Sequence, residues 1–146
     1  MSPPEPIYSS PGHWLVRLHM LAYLKSGGRL GHKLGGTRSL LLTTRGRTSG
    51  KLFRTALLYG QDAGRYVIVA SRGGHPQHPN WFSNLRQDPT VQVQVGTEVF
   101  EAAARIAQGA ERERLWALMA AIWPRYNTYQ ANTQRTIPVV VLERSG

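Results

Sequence analysis

Residues 43–54, TTRGRTSGKLFR, set Arg45, Arg47, Lys51 and Arg54 among four hydroxyl side chains and two glycines, without one acid. Arginine grips a phosphate or carboxylate through two parallel hydrogen bonds. Gly46 and Gly50 are free to adopt positive φ, which turns successive N–H groups toward one point. Thr44, Thr48 and Ser49 add hydroxyl donors. The stretch is therefore a candidate anion cradle, although the G-x-x-x-x-G-K-[ST] order of a P-loop is missing. A plain basic hairpin loop would have the same composition.

A second stretch, ASRGGHPQHPNWFSNLRQDP at residues 70–89, repeats the logic. Arg72-Gly73-Gly74 again places a cation beside permissive backbone. HPNWFSNL reads as a short helix entered through Pro79, whose first turn offers free N–H groups. Asn80 and Asn84 lie one turn apart and can both face a polar ligand, whereas Trp81 and Phe82 read first as core. His75 and His78 form H-x-x-H, but two prolines and the lack of a nearby acid or cysteine argue against a metal. No Ser-His-Asp set or acid–base carboxylate pair is evident. With no cysteine in the chain, thiol nucleophiles and disulfides are excluded.

These loops need elements to hold them. The chain has 146 residues, enough for one ordinary core. Its net charge of +10 is uneven: residues 1–60 hold nine of the eighteen basic residues and a single acid, Glu5. Such a half suits an anionic ligand or surface. Nucleic acid is the weaker partner, because no helix-turn-helix, zinc finger or RNP-like strand accompanies the charge. Residues 1–11 read as a flexible lead with no signal-peptide pattern, which fits a cytoplasmic protein. Residues 12–35 read as a helix over 12–25, apolar around most of its circumference, followed by a glycine-rich linker. That helix would be a lid on the core or a contact with an anionic membrane surface on the inner face of the cell; it is too short to span a bilayer.

From residue 36 to 146 the pattern is of strands. RSLLLTT and RTALLY flank the basic loop, GQDAG reads as a turn, and RYVIVAS follows. VQVQV at 91–95 alternates strictly, Gly96-Thr97 suits a two-residue hairpin turn, and EVFEAAARIA returns. Residues 110–123 read as a helix with Leu115, Leu118, Met119 and Ile122 on one stripe, stopped by Pro124. IPVVVLE ends the run. The expected fold is mainly β, a split antiparallel barrel with flanking helices, closed or nearly so.

Taken in order, TTRGRTSG, ASRGG, HPNWFSNL, VQVQV, YNTYQ and RTIPVVV resemble the deazaflavin-dependent nitroreductases. These are small split-barrel proteins, of an FMN-binding-like fold, that bind reduced coenzyme F420 and pass its hydride to quinones or nitro compounds. The resemblance spans residues 36–143. It implies that Arg47, Thr48, Ser49 and Gly50 hold the coenzyme's phosphate and acidic tail. Arg54, Thr55, Ala56, Leu57 and Leu58 would pass along the ring and ribityl chain. Val69, Ala70, Ser71, Arg72, Gly73 and Gly74 would line the deazaflavin, and Asn80, Trp81 and Asn84 would close its other side. Trp123, Tyr126 and Tyr129 would face the acceptor, with Tyr126 also against the ring, and Tyr126, Tyr129 and Ser71 would serve the chemistry. Phe53, Ala56 and Trp123 stand where relatives often carry Arg, Pro and Tyr. The alternative ligands are FMN, a lipid or another anion held without catalysis.

Overall fold

The computed structural model describes residues 37–145, together with the short strands Ile7–Tyr8 and Lys33–Leu34. The helix expected over 12–25 lies outside the described residues. Ile7–Tyr8 (β1), within the segment read as a lead, runs parallel to Leu52–Leu58 (β4), and Lys33–Leu34 (β2) pairs with the start of Thr37–Arg45 (β3). The remaining strands are Gly60–Asp62 (β5), Arg65–Val69 (β6), Thr90–Val95 (β7), Glu98–Ile106 (β8) and Val139–Arg144 (β9). They order as β1-β4-β3-β7-β8-β9-β6-β5, and every pairing from β4 through β5 is antiparallel. The seven-stranded antiparallel sheet curls so that β4 comes back near β6, giving the expected split barrel. No ladder joins β4 to β5 among the described residues, so hydrogen bonds do not close the ring.

The sheet has two cores. Inside the curl lie Leu40, Leu42, Ile68, Val91, Val93, Phe100, Val140 and Leu142, plugged by Trp81, Phe82 and Leu85 of helix α1 (Asn80–Gln87). Outside, α2 (Gly109–Ile122) and α3 (Arg125–Ala131) cover Val67, Val69, Val139 and Val141. Strands β6 and β9 are thus buried on both faces, which is why their sequences are continuous apolar runs. In β7 only Val91 and Val93 are buried while Thr90 and Gln92 are exposed, as the alternation requires. On α2, Leu115 and Met119 are buried, Leu118 is partly so, and Ile122 stays exposed. The stripe is half as wide as its spacing suggests because α2 lies over the sheet margin at Gly60, where a Cβ would sit 2.7 Å from both Leu118 Cδ2 and Met119 Sδ.

The Gly96-Thr97 hairpin forms, with Val95 opposite Glu98 and positive φ at Gly96. GQDAG is not all turn: its first three residues are β5, and only Ala63-Gly64 turns. Both take positive φ, 51° and 79°, the pattern of a type I′ hairpin. Alanine in that region costs about 1–2 kcal/mol, whereas asparagine tolerates it. Ala63→Asn is therefore expected to stabilise the protein by about 1 kcal/mol, raising Tm by about 3 °C; a calorimetric scan showing no rise would contradict the strain. Across the same end, Arg105 bonds Glu111 (2.5 Å) and Glu143 (2.9 Å), Arg65 bonds Asp62 (3.2 Å), and Arg114 bonds Asp62 (2.7 Å). This chain of ion pairs ties α2 to β5, β6, β8 and β9. Among the described residues no helix is long and apolar enough to cross a membrane.

Candidate functional site

The basic loop joins β3 to β4 at one rim. Gly50 takes φ 72°, as its place in a tight turn requires. Gly46 does not adopt positive φ; it is glycine for lack of room. A Cβ there would meet Phe53 Cε2 at 2.6 Å and Ser49 Oγ at 2.9 Å. The Gly46 N–H donates to the Lys51 carbonyl (2.7 Å) and the Gly50 N–H to the Gly46 carbonyl (2.9 Å), which folds the loop into a compact hook. The N–H groups of Thr48 and Ser49 have no partner among the described residues.

Asn84 fixes that hook. Its side chain is 3% exposed, and its Oδ1 accepts from the Arg47 N–H (3.2 Å) and from Arg47 Nη1 (2.8 Å). Its Nδ2 donates to Thr44 Oγ1 (3.3 Å). One amide therefore joins the end of β3, the loop and α1. Both of its ends are occupied by protein, so Asn84 acts on a ligand through Arg47. Arg47 Nη1 also donates to the Asn80 carbonyl (3.4 Å), and the Asn80 side chain is exposed. A cavity of about 430 Å³ lies here, lined by Arg45, Arg47, Thr48, Ser49, Asn84 and, as its one acid, Asp88.

The second loop reaches the same rim. Arg72, Gly73 and Gly74 have φ of 45°, 61° and 84°, three successive left-handed residues that form a tight turn after Ser71. Gly73 faces open space, but a Cβ on Gly74 would lie 2.9 Å from the Tyr129 carbonyl. Arg72 Nη1 donates to the His78 carbonyl (3.4 Å). Arg47 and Arg72 thus flank residues 78–80, where the chain enters α1. At that entry the N–H groups of Asn80 and Trp81 have no partner among the described residues, because the first intrahelical bonds run from Phe82 and Ser83 to the Pro79 carbonyl.

The other residues sort by face. Along β4, Leu57 packs toward the inner core and Leu58 against the outer one, and Thr55 is buried. By the strand alternation Arg54 and Ala56 share the outer face with Leu58. Val69 belongs to the outer core and Ala70 and Trp81 to the inner one. Ser71 is half-buried. Trp123, Tyr126 and Tyr129 all pack on the outer core, but on two elements: Trp123 ends α2, and the tyrosines lie on α3 after the Pro124 break. Tyr126 is 5% exposed, with its ring 6.2 Å from Tyr129 and 6.3 Å from Trp116. Burial, reinforced by Tyr129, pushes its phenol well above the ordinary value, so it keeps its proton. The Nδ1 of His75 accepts from the Gln77 N–H (3.0 Å), and that of His78 faces Arg135 (3.1 Å). Burial, then the charges of Arg135 and Arg86, hold His78 below the usual imidazole range.

Sequence reasoning missed Arg135. Its Nε donates to the His75 carbonyl (2.7 Å), its Nη1 to that of Ala70 (3.2 Å) and its Nη2 to that of Ser71 (2.7 Å). The available signal was an arginine two residues before the Ile-Pro that precedes the final strand.

The sequence profile of the F420H(2)-dependent quinone reductases matches residues 14–144. An F420H(2)-dependent quinone reductase of Mycobacterium tuberculosis is 41% identical over 137 residues, covering 91% of this chain and 92% of that one. A solved F420-H2 dependent reductase, FDR-A, is 42% identical with a TM-score of 0.67, over 72% of this chain and 93% of its own. A solved chain described as a domain-swapped dimer is 39% identical with a TM-score of 0.70, over 92% of this chain and all of its own. A match of this length and identity, laid over the same curled sheet, leaves one assignment: the chain belongs to the F420H(2)-dependent quinone reductase family.

Proposed function

We propose that the protein binds reduced coenzyme F420 across the rim formed by its two glycine-bearing loops and reduces a quinone there. The observation that carries this is the convergence of Arg47, Arg72 and the unpartnered N–H groups of Asn80 and Trp81 at the entry to α1. Cations and helix-entry amides together suit a phosphate, and the open space over Gly50 and Gly73 leaves room for a ligand to approach the backbone.

In this reading Arg47, Thr48, Ser49 and Gly50 hold the phosphate end, with Asn84 fixing the angle of Arg47. The outer face of β4, with Arg54, Ala56 and Leu58, runs along the ring and its chain, and Ser71 to Gly74 border the ring. The coenzyme supplies a hydride at its ring carbon; the protein binds, orients and keeps water away. Trp123 and Tyr129 offer flat apolar surface to the acceptor. Tyr126, held protonated by burial, donates a hydrogen bond to an acceptor oxygen as that oxygen gains negative charge. Ser71, at the start of the 72–74 turn, polarises the acceptor. Nitroaromatics are adventitious acceptors of the same flat shape.

The test is titration of the purified protein with F420 and with FMN side by side, followed by quinone reduction under reduced F420. Saturable F420 binding and turnover are expected. Preference for FMN, or binding without turnover, would replace the enzyme with a flavin- or anion-binding module.

A further inference from the structure

We propose that Arg135, resting on the cofactor reading above, is a positioning residue: it straps the Ala70–His78 loop into the left-handed turn that borders the ring and locks that turn to the helix carrying the tyrosines. Four bonds leave one guanidinium. Three go to the carbonyls of Ala70, Ser71 and His75, and the fourth reaches His78 Nδ1. The three carbonyls meet one guanidinium from a loop whose residues 72–74 are all left-handed. Such backbone persists only when its surroundings over-determine it. Within the loop there are few bonds to do so: the Gly74 N–H to the Ser71 carbonyl, the His75 N–H to the Arg72 carbonyl, the Gln77 N–H to His75 Nδ1, and a long one from Arg72 Nη1 to the His78 carbonyl.

The strap continues into α3. Gln130 Nε2 donates to the Arg135 carbonyl (2.8 Å), and Gln130 Oε1 accepts from the Ile137 N–H (2.9 Å). Gly74 rests on the backbone of Tyr129, one residue earlier. The loop and the helix therefore meet twice, through Arg135–Gln130 and through Gly74–Tyr129. A shift of one carries the other, which fixes the distance between the ring's edge and the tyrosines. Lysine at 135 would keep the charge but lose the planar fork, so it could serve one or two of the four acceptors.

The test is Arg135→Lys, read in two ways. In the cofactor-free protein, amide hydrogen exchange at Gly74, His75 and Gln77 is expected to speed up at least ~10-fold while the β7–β8 ladder stays protected. In titration, F420 affinity is expected to fall ~10-fold or more, with kcat for quinone falling further than the change in KM for quinone. If Arg135→Lys does not fold, Gln130→Ala, which frees the other end of the strap, takes its place with the same readouts. Unchanged exchange at Gly74, His75 and Gln77, or exchange that rises equally in β7–β8, overturns the strap. A loosened loop with unchanged F420 affinity overturns its role toward the coenzyme. A wild type that binds no F420 overturns the cofactor reading instead, and the exchange rates then decide the strap by themselves.

Discussion

Replacing Tyr126 with phenylalanine is expected to lower kcat for quinone reduction ~10²–10³-fold, the usual consequence of losing one donor to a developing oxyanion. Affinity for reduced F420 and the melting temperature should barely move. The ring is 5% exposed between Trp116 and Tyr129, and phenylalanine keeps that packing. The hydroxyl makes no hydrogen bond among the described residues, so its removal strands no protein partner. Its raised pKa means that wild-type activity should show no loss from Tyr126 ionisation up to pH 10, where an ordinary phenol is already about half ionised. Steady-state kinetics with one quinone, at saturating reduced F420, separate the possibilities. A mutant that works at the wild-type rate would make Tyr126 a packing residue only, and Tyr129, half-buried on the same helix, would inherit the role.

Arg47→Ala should weaken F420 binding at least ~10-fold, since charge-assisted hydrogen bonds contribute about 1.5–3 kcal/mol each. The substitution also strips Asn84 of its 2.8 Å partner, leaving Oδ1 with the residue-47 N–H alone. The hook should survive, because Gly46 and Gly50 close it through backbone bonds to Lys51 and to each other. A fluorescence titration of the coenzyme measures the loss, and a far-UV spectrum matching wild type shows that the loss is local. Equal affinity in the mutant would remove Arg47 from the site.

The strand pattern was legible because it is local. VQVQV alternates over five residues, Gly96-Thr97 suits a two-residue hairpin turn, and Pro124 cannot continue the helix that precedes it. Sequence also revealed which loops carry charge and permissive backbone. What it could not reveal depends on residues far apart. Asn84 reads as a ligand contact one turn from Asn80, yet it bonds Arg47, 37 positions away, and Thr44, 40 away. Arg135 reaches carbonyls 60 to 65 positions earlier, and no spacing rule points there. Gly46 looked like a turn glycine and is a crowding glycine, because Phe53 folds back over it. The first three residues of GQDAG became an edge strand only because β6 was there to pair with them.

The acids of the described chain are mostly engaged away from the rim. Asp62, Glu111 and Glu143 sit in the ion-pair chain under α2, and Glu98 pairs with Arg144. At the rim only Asp88 answers a cation, 3.9 Å from Arg45. Arg47, Lys51, Arg54 and Arg72 have no carboxylate partner among the described residues, so their field extends into solvent. A polyanion diffusing nearby is drawn toward that rim before any contact forms, and encounters are oriented rather than random. At physiological ionic strength the pull fades over about 8 Å. Added salt should therefore slow capture of the coenzyme far more than it hastens its escape.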